Sequence, residues 1–333
     1  AGDYSTQGWV QFFPLAFLWK STPAELAGLV LAILAAVRNH TRFGVWAVRL
    51  APLLALVVVY GGVALTSHLN IGQRHLLPLY PAVFIVAGVA AWRLSRVPRV
   101  RLVFAAALVA SQALVAARTH PHYLAYFNVL AGGPTQGWRL LVDSSLDWGQ
   151  DLPGLKTWLD RNNTGAQAAP VFLSYFGSGE PDYYHIAAHR LPSVNDFKFP
   201  HHWYQTTAGL YCVSATMLQQ VYSPLRGEWS LAWEREYQEG RLKEPLFWKY
   251  WTDAATREEV RATGAAEAFE RTWQRYDLLR FARLCHFLRA RRPEAVIGHS
   301  IFIHRLSQAE IDAALNGTYS DWLRAVEQAA APR

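Results

Sequence analysis

From Leu50 to Gln73 the chain runs for 24 residues without a charged side chain, around an apolar centre LLALVVVY at Leu53 to Tyr60. A bilayer-spanning helix needs about 20 predominantly apolar residues, so this stretch predicts a span over 50–69. Two shorter uncharged runs follow, Leu76 to Trp92 and Leu102 to Ala117, the second bracketed by Arg101 and Arg118. At 1.5 Å per residue the second covers about 24 Å of a roughly 30 Å core, so its arginines must snorkel outward. Upstream, Phe12 to Trp19 (FFPLAFLW) is separated from Leu26 to Val37 (LAGLVLAILAAV) by Lys20, Pro23 and Glu25, the pattern of an interfacial segment followed by a span. The expectation is four transmembrane helices, over 22–38, 50–69, 75–92 and 102–118, within a membrane region 1–118.

The net charge of +7 is unevenly spread. Residues 1–118 carry ten Lys/Arg against Asp3 and Glu25, a net of +8, and the remaining 215 residues carry 22 basic and 23 acidic groups, a net of −1. A basic excess confined to the apolar part argues for basic loops flanking membrane helices and against a nucleic-acid partner. Arg38, Arg42 and Arg49 follow the first predicted span, Arg93, Arg96, Arg99 and Arg101 follow the third, and only Arg74 lies between the second and third. By the positive-inside rule the first and third loops face the cytoplasm, while the Asn70–His75 loop and everything beyond His120 face outward. Ala1 to Val10 (AGDYSTQGWV) has no signal-peptide pattern and reads as the middle of a longer chain.

Residues 119–333 have the alternation of a small extracytoplasmic α/β domain. Trp138–Val142 (WRLLV), Val171–Phe176 (VFLSYF), Leu210–Ser214 (LYCVS) and Val296–Ile303 (VIGHSIFI) are strand candidates. Asp151 is placed to cap a helix carrying Leu152, Leu155, Trp158 and Leu159 on one face. Ser307–Glu310 (SQAE) is a capping box, opening a helix that stops at Asn316 and Gly317. Charges and aromatics at helical spacing between Trp229 and Ala290 predict a helical insertion.

Several groups carry chemistry. Arg74 and His75 sit in NIGQRHLLPLYP (Asn70–Pro81), at the predicted lipid–water boundary, where a guanidinium can clamp a phosphate bidentately. Snorkelling by Arg74 with kinks at Pro78 and Pro81 is the plainer reading, and the same alternative applies to Lys20. Asp143, Asp147 and Asp151 fall within nine positions of VDSSLDWGQD, with Trp148 and Gln150 between them. Exposed, such a loop suits acid/base work or sugar hydroxyls; otherwise the acids make Asx turns and a helix cap. Their spacing does not match a calcium loop. His185 and His189 stand four apart, as in many zinc pairs, but Ile186 breaks the H-E-x-x-H pattern. His201 and His202 precede Trp203 and Tyr204 in an aromatic loop. Cys212 and Cys285 are the two cysteines, and a buried strand position for Cys212 favours free thiols over a bridge. Phosphate-loop, dinucleotide and nucleophile-elbow motifs do not occur, so nucleotide-loop and hydrolase-elbow readings have no support; no cofactor is expected.

Asn70–Pro81 and His120–Asp151 (HPHYLAYFNVLAGGPTQGWRLLVDSSLDWGQD) resemble bacterial members of glycosyltransferase family 39, relatives of the protein O-mannosyltransferases and of the lipid A aminoarabinose transferase. Gly8–Pro23 (GWVQFFPLAFLWKSTP) is similar to an aromatic segment and turn of the same family. The resemblance implies a multi-pass inner-membrane enzyme that moves a sugar from a polyprenyl-phosphate carrier to a protein or glycolipid acceptor outside the cytoplasm. It implies donor-phosphate binding at Lys20, Arg74 and His75. Asp143, Asp147, Trp148 and Gln150 would shape the acceptor side or brace the outer domain. The family's general base is an Asp in an amino-terminal extracytoplasmic loop, which neither Asp3 nor Glu25 matches, so no catalytic residue and no metal site is assigned, and the chain is expected to be an inactive carboxy-terminal part. The rival classes are a non-catalytic membrane-anchored binding domain, which would bind without turnover, and a transporter, which would carry ionisable groups deep in its spans.

Overall fold

Strands of four and six residues, VFLS and GLYCVS, buried along their whole length, build the centre of a five-stranded sheet. A computed structural model describes residues 5, 7–38, 45, 48–94, 97–194, 205–225 and 227–331. Arg42, Arg96, His201, His202, Trp203 and Tyr204 lie outside the described residues. The chain forms two compact units that divide at Leu146/Asp147, where the sequence reading placed the boundary at 118/119. Residues 120–146 belong with the amino-terminal helices because buried polar bonds tie them there: Asn128 Nδ2 donates to the carbonyls of Leu18 (2.6 Å) and Ser21 (2.9 Å).

The first unit contains helices Phe12–Lys20, Pro23–Arg38, Ala51–Thr66, Tyr80–Leu94 and Pro98–Thr119. Among the described residues one helix, Pro98–Thr119, is long and apolar enough by itself to cross a bilayer; its 22 residues extend about 33 Å. Phe12–Lys20 and Pro23–Arg38 pass the same test together but are bent by 114° at their junction. Among the described residues the four expected full spans are not found. Ala51–Thr66 has only 16 residues, because the chain leaves the helix at Ser67 in extended geometry. The predicted 75–92 span begins instead as a 3-10 turn, Gln73–Leu79, with Pro78 inside it, and becomes α-helical only at Tyr80. Proline lacks the N–H that α-helical pairing requires and disfavours α geometry at the residue before it. The sequence WRLLV is not a strand either. Pro134–Gly137 makes one helical turn that continues irregularly, and Gly137 lies against the Phe127 ring where a Cβ would collide.

In the second unit the strands are β1 (Val171–Ser174), β2 (His189–Arg190), β3 (Gly209–Ser214), β4 (Ala295–Ile297) and β5 (Ile301–Leu306), in spatial order β2-β1-β3-β5-β4. β2, β1 and β3 are parallel, and β5 is antiparallel to both β3 and β4. The predicted single strand over 296–303 is therefore a hairpin. Its two turn residues, Gly298 and His299, both have positive φ (56° and 65°), the geometry of a type I′ turn matched to strand twist. Because side chains alternate across a strand, Val171, Leu173, Leu210, Cys212, Ile301 and Ile303 share one face. They pack with Leu152, Leu155 and Leu159 of the amphipathic helix Leu152–Asn162. Phe172, Tyr211, Phe302 and His304 take the other face, Phe172 stacking on Tyr211 at 4.5 Å. Cys212 and Cys285 are free thiols, both buried.

The helical insertion is present as Leu231–Arg241, Glu244–Thr252, Ala254–Ala262 and Ala266–Ala290. Its aromatic core holds Trp229, Tyr237, Phe247, Trp273, Tyr276 and Trp322. The Ser307 capping box forms with Glu310, and the helix it opens passes through a π-helical turn before ending at Asn316.

Candidate functional site

In the first unit the Gln73–Leu79 turn is fixed from several sides. Ser145 Oγ accepts the Gln73 N–H (3.3 Å), Tyr60 Oη donates to the His75 carbonyl (2.8 Å), and Gln73 Nε2 donates to Tyr80 Oη, which also meets Ser21 Oγ (3.2 Å). Ser144 Oγ donates to the Ile71 carbonyl, and Gly72 approaches Ser144 so closely that a side chain there would collide. Lys20 closes the arrangement from below. Its buried ammonium donates to the carbonyls of Ser145 (2.6 Å) and Leu124 (2.7 Å) and lies 4.3 Å from the Phe127 ring centre. The two bonds join the first helix to the 124–145 segment.

The clasp presents Arg74, exposed, beside His75, half-buried. Phe13 meets the His75 ring edge-on at 6.4 Å, and the buried His75 Nε2 has no hydrogen-bond partner among the described residues. Asp143 is in the same unit but is buried in left-handed backbone (φ 55°), its carboxylate accepting the N–H of Ser144.

The other predicted residues, Asp147, Trp148 and Gln150, lie in the second unit, at the carboxyl ends of β1 and β3. Asp147 is fully buried; Oδ2 accepts the Thr216 N–H (3.1 Å), and Oδ1 accepts the Gly149 N–H (3.4 Å). Desolvation pushes its carboxyl up to about 6, against the pull of the bonds from Thr216, Gly149 and Ser214. Gln150 folds back, its Oε1 accepting the Trp148 N–H (2.8 Å) and its Nε2 donating to Asp151 (2.9 Å). The Asp151 carboxylate makes no cap bond to the helix that follows it; Ser300 Oγ donates to it (2.6 Å), and Gly298 packs where any Cβ would strike it. Tyr175 Oη donates to the Gly149 carbonyl and accepts from the Gly179 N–H.

The sequence singles out Asp147 and Trp148 but not Tyr175, Thr216 or Ser300, which the fold brings to the same strand ends. The one local signal was the Gly-Ser-Gly run at 177–179 directly after a strand candidate. His185 and His189 do not form an i, i+4 helical pair: His185 is in a turn with φ 55° and His189 is in β2. Among the described residues no group of three or more His, Cys, Asp or Glu is arranged to hold a metal. At the opposite edge of the sheet a shallow groove of about 620 Å³ is lined by Pro170, Gly209, Arg291, Arg305 and Glu310. Its charges are paired, Arg291 with Glu310 (2.9 Å) and Arg305 with Glu294 (3.0 Å). No protein-family model, curated protein or solved structure compared with the chain matches it.

Proposed function

We propose that the chain is part of a membrane glycosyltransferase that takes a sugar from a polyprenyl-phosphate carrier to an acceptor outside the cytoplasm, and that its first unit holds the donor phosphate. The observation that carries the reading is the Arg74–His75 turn, an exposed guanidinium beside an imidazole whose buried nitrogen has no hydrogen-bond partner among the described residues, on backbone fixed by Ser144, Ser145 and Tyr60. The resemblance of Asn70–Pro81 and His120–Asp151 to glycosyltransferase family 39 and the 22-residue apolar helix Pro98–Thr119 support it. In this scheme an acceptor hydroxyl displaces the lipid phosphate at the anomeric carbon with inversion. Arg74 stabilises the negative charge that grows on the departing phosphate. Lys20 acts through Ser145, holding the turn in place, and Asp147 braces the sheet unit through Thr216.

Citronellyl phosphate, a short polyprenyl-phosphate analogue, titrated into the detergent-solubilised full chain and followed by 31P NMR, tests this. Arg74→Ala is expected to weaken binding about 10- to 100-fold, the loss of a charge-assisted contact of roughly 1.5–3 kcal/mol, with Arg74→Lys intermediate. Equal affinity of wild type and Arg74→Ala would refute the phosphate role.

A further inference from the structure

Among the exposed aromatic side chains that the hydrophobic cores of the second unit do not use are Trp148, Tyr183 and Tyr222, at 57%, 77% and 50% exposure. All three stand on loops at the carboxyl end of β1 or β3. β1 leads on to β2 on one of its sides and has β3 on the other, so this edge is the switch point where open parallel sheets place ligands. The loops are tied together. Tyr175 Oη joins the Trp148–Gly149 turn to the Gly177–Gly179 loop, accepting the Gly179 N–H and donating to the Gly149 carbonyl. Gly149 has φ 76°, and a Cβ on it would lie 2.7 Å from Gly177 Cα, so the two loops touch backbone to backbone. From there the chain leads to Tyr184, which packs against Gly179 and takes Tyr183 edge-on at 5.2 Å. On the β3 side Tyr222 stacks on Phe176 at 5.6 Å, and Phe176 is held by its N–H on Ser214 Oγ (3.0 Å).

We propose that this edge is a binding platform for a neutral saccharide, with Trp148 and Tyr222 as stacking faces and Ser178 and Glu180 as the hydroxyl-binding groups beside them. A sugar ring offers an apolar C–H face and a rim of hydroxyls, which matches aromatic surface with a few placed polar groups. The charge balance selects against an anionic ligand: the 177–184 loop contributes Glu180 and Asp182, and the neighbouring cation, Arg190, is paired with Asp182 at 3.1 Å. That same balance disfavours an anionic bilayer surface, which attracts lysine and arginine. The platform stands independently of the phosphate assignment, although a transferase would use it to hold its acceptor.

The test is saturation-transfer NMR and calorimetric titration of the full chain in detergent with three neutral trisaccharides: maltotriose, mannotriose and chitotriose. At least one is expected to bind saturably, with Trp148→Ala and Tyr222→Ala each weakening it tenfold or more and Trp148→Phe retaining most of the affinity. Tyr175→Phe, which keeps the ring but frees both loops, is expected to weaken binding several-fold; Lys156→Ala, on the exposed face of the following helix, leaves it unchanged. Thermal unfolding of each variant separates lost binding from lost folding. Absence of saturable binding by wild type, or a folded Trp148→Ala chain with unchanged affinity, overturns the platform, and citronellyl phosphate binding measured on the same samples shows whether the donor site fails with it.

Discussion

Arg283→Met is expected to destabilise the second unit by about 3–5 kcal/mol, because it leaves a buried carboxylate without its counter-charge. Arg283 is fully buried in the Ala266–Ala290 helix and donates to both oxygens of Glu234 (2.9 and 3.1 Å) and to the carbonyls of Ala314, Gly317 and Thr318. Its guanidinium also lies 5.0 Å from the Tyr237 ring centre and 5.6 Å from that of Trp322. Burial alone would raise the Glu234 carboxyl, but the bonds from Arg283 and Gln238 hold it below its ordinary value. One side chain therefore locks the Leu231–Arg241 helix and the start of the carboxy-terminal Tyr319–Ala330 helix onto the Ala266–Ala290 helix. Urea unfolding checks the figure. The double variant Arg283→Met/Glu234→Leu is expected to recover a large part of the loss, since removing both charges removes the stranded one. A single variant within 1 kcal/mol of wild type would mean that the node contributes little.

The second large effect is acid lability centred on His304. Its ring is buried in β5 opposite Tyr211, and neither nitrogen has a hydrogen-bond partner among the described residues. Desolvation, reinforced by Arg291, pushes it down to about 3. Below the unfolded-state value near 6.5 the unfolded chain takes a proton that the native chain refuses, so stability present at neutral pH is lost as pH falls from 6.5 towards 3. At pH 4 the loss from this group is on the order of 3 kcal/mol. His286, half-buried and also held at about 3, adds a loss of the same sign, whereas Asp147, held up at about 6, contributes in the opposite direction, costing stability as pH rises from about 4 to 6. Comparison of unfolding free energies at pH 7 and pH 4 should show a smaller drop for His304→Phe than for wild type. Identical drops would remove His304 as a source.

What could be read from the sequence follows from range. Val171–Ser174 and Gly209–Ser214 declare themselves because strands buried on both faces are continuous apolar runs, and the Ser307–Glu310 box is complete within four residues. Apolar run length was a poorer guide to the membrane helices: it counts uncharged residues but does not see where Ser67 turns extended or where Pro78 enforces a 3-10 turn. The hairpin at Gly298–His299 was hidden because Gly-His is not among the dipeptides that signal such turns, and its conformation is tied to Asp151 far away in sequence. The same limit applies at the sites. Acid spacing drew attention to Asp147, yet its partner Thr216 is 69 positions on, and Ser300 is 149 positions from Asp151. The charge of Lys20 is visible in the sequence, whereas the carbonyls of Leu124 and Ser145 that receive it carry no signature in the side-chain sequence.

The proposed transfer requires the Arg74 turn and the sheet edge each to face the non-cytoplasmic side of a membrane. Because Cys212 and Cys285 are buried, single cysteines introduced at exposed Leu69 and Ser178 can be labelled selectively in spheroplasts with a membrane-impermeant maleimide. The account predicts that both label without permeabilisation; labelling of either position only after the membrane is opened would contradict it.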